Sequence, residues 1–130
     1  MSILFCILCG FILGAERELK HKEAGLKIIV FITLGAYIFT TIGLFTDSYN
    51  RVVPQIVSGI GFIGSGVIVF NRDKLSGLSS AAMIWISAAI GVLNAIGLNF
   101  EAIILSLTIV FLGAFIDRTR PILEKLSNKE

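Results

Sequence analysis

The sequence predicts an all-α integral membrane protein, a bundle of about five transmembrane helices with almost no soluble part. Three observations carry this. Hydrophobic residues make up 55% of the chain and the mean hydropathy is +0.91. Charged residues make up 15%, against roughly a quarter in a soluble domain. Those charges cluster and leave long runs with none. In lipid such runs must be helices, because an open strand would leave backbone groups unpaired.

The runs place spans at about residues 2–16, 28–45, 53–70, 78–98 and 100–116, within one domain covering residues 1–130. The first is short against the ~20 residues that cross a bilayer core. It has no basic leader, and Glu16-Arg17-Glu18 stands where a signal cleavage site would be expected, so it reads as a retained helix. Cys6 and Cys9 lie one turn apart within it. That spacing does not suit a disulfide, and no His or further Cys joins them to hold a metal, so they read as small buried residues. The third span opens at Val53-Pro54, where a proline suits a first helical turn. The turn at residues 97–100 is tight, which makes the fourth and fifth spans antiparallel neighbours. The polar tail beyond Ile116 is expected to fray.

Orientation follows from Lys and Arg. Arg17, Lys20, Lys22 and Lys27 follow the first span, Arg72 and Lys74 the third, and Arg118, Arg120, Lys125 and Lys129 the fifth. With five alternating spans, all fall on one side, and Arg51 alone on the other. This expectation puts the N-terminus outside and the C-terminus in the cytoplasm.

The third span carries Ser58-Gly59-Ile60-Gly61-Phe62-Ile63-Gly64-Ser65-Gly66. The string satisfies a dinucleotide-binding pattern, but that needs a preceding strand and an aqueous phosphate site. At 100° per residue Gly59 and Gly66 share one face. Gly61 and Gly64 lie roughly opposite, flanked by Ser58 and Ser65. Small residues on two faces admit two close neighbours, so this span is expected at the centre of the bundle. A second reading makes it a locally unwound helix lining an ion site. Gly10 and Gly14 have the spacing of close helix pairs, within the bundle or against a second copy.

No ionisable side chain sits mid-span, which counts against an ion-coupled transporter. Asn94 has the strongest need of a partner among the uncharged polar residues, most of which can bond their own helix. Glu16 and Arg17 end the first span level with Asp117 and Arg118 of the fifth, as an ion cluster or as simple anchors. Asp47, Arg51 and Gln55 are spaced by four at the other end, and line one face if the helix begins early. Asp47 and Glu101 are the acids expected there, too few for a protein cage around Mg²⁺, so no metal or cofactor is expected. Trp85 lies inside the fourth span and is expected to pack against a helix. Nothing pairs a nucleophile with a base, so no enzyme is expected.

Three stretches make the chain similar to a known family. They are Leu13-Gly14-Ala15-Glu16-Arg17-Glu18 with Ala24-Gly25-Leu26-Lys27, then Arg51 with Gln55 through Ile68, then Gly77-Leu78-Ser79-Ser80-Ala81-Ala82-Met83-Ile84-Trp85. In order and spacing they resemble the MgtC/SapB family of bacterial inner-membrane proteins, over essentially the whole chain. The resemblance implies a role in growth at low Mg²⁺ and in survival inside phagocytes, through restraint of the F-type ATP synthase. It puts Glu16, Arg17, Asp47, Arg51, Gln55, Ser79, Ser80 and Trp85 at motif positions. Ser79-Ser80 stand where Thr-Thr is common. Many members continue into a cytoplasmic domain resembling the ACT fold, and this sequence stops soon after Asp117-Arg118.

The expected function is therefore a multi-pass inner-membrane regulator that binds a membrane complex such as the F-type ATP synthase. The alternative is a channel or carrier for Mg²⁺ or another small ion or solute. The expected partners are the lipid bilayer, a membrane protein and a second copy, most simply in a two-fold dimer. No nucleic-acid partner is expected.

Overall fold

A computed structural model describes residues 1–71 and 74–127, with the backbone alone for residues 69–71, 74–75 and 121–127. The described residues form five helices: α1 (Ser2–Leu19), α2 (Leu26–Phe45), α3 (Tyr49–Ser65), α4 (Leu78–Ala95) and α5 (Asn99–Ser127). Between α3 and α4 lies a short antiparallel hairpin, β1 (Val69–Asn71) and β2 (Lys74–Ser76), with Phe70 opposite Leu75. Among the described residues, three helices are long and apolar enough to cross a membrane: Leu26–Phe45, Leu78–Ala95 and Asn99–Arg120.

The bundle is inside-out in residue size. The buried stripe of α2 is Ile29, Thr33, Ala36, Thr40 and Gly43, and that of α1 is Cys6, Cys9, Gly10, Leu13, Gly14 and Arg17. Most of these are small. Leu13, Ile29 and Ile84 are fully buried, but many large apolar side chains point outward, among them Phe11, Phe31, Phe62, Phe100 and Phe111. In lipid, no hydrophobic force drives helices together, so close backbone approach supplies the packing. A Cβ on Gly10 would lie 3.1 Å from Val30 Cα, and one on Gly14 would lie 2.9 Å from Leu26 Cα. One on Gly91 would collide with the backbone carbonyl of Thr33. These contacts seat α1 and α4 against α2.

The centre is therefore α2 with α4, and not the third helix. Of α3, only Ile60 and Gly64 are buried. A Cβ on Gly59 or Gly61 would meet nothing within 4 Å, and Ser58 and Ser65 are exposed. The glycines of α3 were expected to admit neighbours on two faces, and only Gly64 sits beside one: a Cβ there would lie 3.6 Å from the Ala81 carbonyl oxygen. Gly66 caps its own helix.

Boundaries shift for physical reasons. The third helix starts at Tyr49, so Pro54 is inside it, on an exposed position. It ends at Ser65, short of the expected 70, where three glycines in six residues weaken a helix. The chain then enters the hairpin and leaves it through Gly77, whose φ of +83° suits glycine. A side chain there would strike the Val67 carbonyl. The backbone of α5 stays helical to Ser127, where fraying was expected. This helix leans mainly on α1 and more lightly on α4. At its start Asn99 donates to Ser2 Oγ at 3.2 Å, and Phe100 meets Phe5 at 6.0 Å between ring centres. Arg72 and Lys129, used in the charge count, lie outside the described residues, as do the side chains of Lys74 and Lys125.

Gly91→Ala is expected to destabilise the protein by about 1–3 kcal/mol, because a backbone carbonyl cannot yield. Gly59→Ala is expected to be neutral or to stabilise by up to ~1 kcal/mol through helix propensity. Unfolding of both variants in the same detergent checks the contrast; equal loss in both would refute the packing argument.

Candidate functional site

The polar chemistry concentrates at one end of the bundle, where α1 ends and α2 and α4 begin. Arg17 lies in the last turn of α1 and is 6% exposed. A buried guanidinium needs partners. Its Nη2 donates to Ser80 Oγ at 2.7 Å, and the Ser80 hydroxyl donates to Glu23 Oε2 at 2.8 Å. Ser80 is in the first turn of α4, so this chain of bonds joins α1, the loop and α4. Nε of Arg17 is buried with no partner among the described residues. The Glu23 carboxyl is held below its ordinary value, first by its own backbone N–H and then by the Ser80 hydroxyl.

A second network sits beside it. Lys20 is ion-paired with Glu16, one turn back, and with Asp117 of α5 at 2.6 Å. The Asp117 and Glu16 carboxylates hold the Lys20 ammonium above its ordinary value. Glu18 Oε2 accepts the Leu26 N–H at 2.9 Å and so caps α2. A carboxylate at a helix start also meets the positive end of the dipole. The missing side chain of Gly25 leaves room for it. Glu16, Arg17 and Ser80 thus converge, together with Glu18, Lys20, Glu23 and Asp117. Glu18, Lys20 and Glu23 were not singled out from sequence, although the i,i+4 spacing of Glu16 and Lys20 was a legible signal.

The other candidates lie elsewhere. Ser79, next to Ser80, is exposed. Trp85 is 54% exposed, on the outer side of α4 and not enclosed in the bundle. Asn94 is fully buried and donates to its own helix at Ile90 O, 2.8 Å, leaving Oδ1 unpartnered among the described residues. Thr33, Ser87 and Ser106 likewise bond the carbonyl four residues back. Cys6 and Cys9 are buried free thiols. At the opposite end Asp47 sits in the turn before α3 with φ +50°, outside the helix. Arg51 donates to Ser48 Oγ at 3.1 Å. Arg51 and Gln55 share one wall of a groove between α2 and α3, of about 1020 Å³. Among the described residues no three His, Cys, Asp or Glu side chains converge as a metal group would require.

Ser80→Ala strands a buried guanidinium and is expected to cost about 1–3 kcal/mol. Ser79→Ala is expected to stay within ~0.5 kcal/mol. The pH dependence has a sign. Lys20, with its raised folded value, contributes fully below the ordinary lysine range of ~10.4 and loses this as pH rises through the folded value. Glu23, with its lowered folded value, contributes above ~4.3 and loses this as pH falls. Neither group should change stability between about pH 6 and 9. Unfolding temperatures of Lys20→Gln and Glu23→Gln across that range check this: each should run parallel to the unaltered chain.

Comparison with known proteins places this architecture. The model of the MgtC family matches residues 3–121. Protein MgtC of Salmonella typhimurium is 41% identical over 116 residues, covering 88% of this chain and 49% of that protein. Protein MgtC of Brucella abortus is 37% identical over 122 residues, covering 92% of this chain and 50% of that protein. The chain thus spans about half the length of the curated relatives it matches. No solved structure matches it. On the family match and both relatives, the chain belongs to the MgtC family.

Proposed function

We propose that this chain is a regulator of the MgtC type in the bacterial inner membrane, acting by binding a larger membrane complex such as the F-type ATP synthase under low Mg²⁺ or intracellular stress. The observation that carries the reading is the family match over residues 3–121. A second support is the surface: aromatic and large aliphatic side chains cover the outer faces of the bundle, as a protein seated among lipids and other helices requires. The buried polar groups mostly bond their own helices, which leaves little for chemistry of the chain's own.

In this proposal all five helices cross the membrane. α1 and α3, with 18 and 17 residues, are short spans held beside the longer ones. Arg17, Lys20, Lys22 and Arg118 mark the cytoplasmic end by the excess of basic residues, which puts the N-terminus outside. Two copies form a two-fold dimer in the simplest assembly. The second reading, a channel or carrier for Mg²⁺ or another small ion, is favoured by the groove between α2 and α3. Against it stand Glu16, already ion-paired, and Asp47, outside any helix.

Mild solubilisation of native membranes with tagged protein is expected to co-purify a membrane complex containing ATP synthase subunits. Trp85→Ala, on an outward face, is expected to keep the fold and weaken that recovery. No reproducible partner, together with Mg²⁺ flux in liposomes that Glu16→Gln or Asp47→Asn reduces, would replace the regulator with the carrier.

A further inference from the structure

The groove between α2 and α3 is not explained by packing within the chain. Gly35 of α2 and Gly59 of α3 stand on opposite walls, and a Cβ on either would meet nothing within 4 Å. A glycine inside a helix costs ~1 kcal/mol relative to alanine. At Gly10, Gly14 and Gly91 a close backbone contact offsets that cost. At Gly35 and Gly59 the two glycines instead widen an empty space, of about 1020 Å³. This sits at the upper end of the ~300–1,000 Å³ typical of ligand pockets.

The walls are apolar along most of their length, with Phe31, Phe39, Ile56 and Ile63 among them. The polar lining gathers at the α2–α3 turn: Thr46, Ser48, Arg51 and Gln55. Among the described residues no carboxylate lines the groove; Asp47, in the same turn, is not part of its wall. Arg51 has five N–H donors, and Nη2 donates to Ser48 Oγ. It also stands in the first turn of α3, where the helix dipole is already positive. Both charges favour an anion at this mouth.

Charge selects the occupant. The α3 wall runs from Arg51 to Ile63, about 18 Å, and the α2 wall from Ile28 to Thr46, about 27 Å. A cationic mouth over long apolar walls fits an amphiphile with one anionic head and apolar chains.

We propose that this groove binds one anionic phospholipid, its phosphate at Arg51 and its acyl chains along Gly35 and Gly59. The site is separate from the polar network at the other end of the bundle. It rests on the reading that α3 lies in the membrane, and it does not depend on any protein partner.

The test is lipid retention by the full chain, purified in detergent after reconstitution with equal amounts of phosphatidylglycerol and phosphatidylcholine, and read by native mass spectrometry. The unaltered chain should retain the anionic lipid about fivefold over the zwitterionic one, the effect of one basic residue worth ~1 kcal/mol. Arg51→Gln should bring the ratio to about one, and Arg51→Lys should keep most of the preference. Gly59→Phe, which has open space to enter, should reduce retention of both lipids while helix content stays unchanged. Equal retention of both lipids by the unaltered chain would overturn the proposal, as would a preference that survives Arg51→Gln. A Gly59→Phe variant that changes the oligomeric mass and leaves lipid retention intact would also overturn it, and would assign the groove to a second copy. Loss of ATP synthase from native pull-downs would bear on the regulator alone, because this assay contains no partner.

Discussion

The fold depends on how closely α2 can be approached. Its neighbours reach it through missing side chains: Gly10 and Gly14 from α1, and Gly91 from α4 against the Thr33 carbonyl. Dispersion falls off over fractions of an ångström, and lipid competes with any looser contact. A methyl group at one of these points would separate two helices along much of their length. The stripe of α2 that receives them is correspondingly small in volume, and its Thr33 satisfies its own hydroxyl within the helix. The larger side chains are left to face outward.

Contacts of this kind set distance, but they discriminate poorly between sliding positions along a helix. The polar end supplies the register. Arg17, Ser80 and Glu23 tie α1 to α4 through one hydroxyl, and Lys20 ties α1 to α5 through Asp117. Charge-assisted bonds are short and directional, and an unpaired buried guanidinium is costly. Moving α4 along its axis by one residue would break the Ser80 bond. At the other end Asn99 of α5 bonds Ser2 of α1, and α3 comes close to α2 at Gly43, where an added Cβ would lie 3.0 Å from Val52 Cβ.

Much of the helical plan was legible in the sequence, because charge-free runs and their flanking charges are local signals. The runs ending at Phe45 and beginning at Leu78 match α2 and α4 closely. Arg17 and Ser80 stood out from motif positions, and the structure brings them to 2.7 Å. What the sequence concealed depends on neighbours. Gly59 and Gly91 are each helical glycines, yet one faces open space and the other a carbonyl. Only the position of a second helix separates these cases. The end of α3 was misplaced for a related reason: residues 66–70 are apolar enough for a span, but the hairpin that follows pulls them out of the helix. Glu23 stayed hidden because its partner is 57 residues away.

Trp85 is the one tryptophan of the chain, and it stands on the outer surface of α4. A lone indole in that place is a natural optical reporter of whatever surrounds the protein. Its emission colour follows the polarity just outside the helix, and a heavy-atom quencher placed at a chosen depth among the lipids would reach it directly. Arrival of another protein against α4 would alter the same signal, with no label attached and no other indole to confuse the reading. The side chain left half open to the outside is, for that reason, the one through which the surroundings of the bundle can be read.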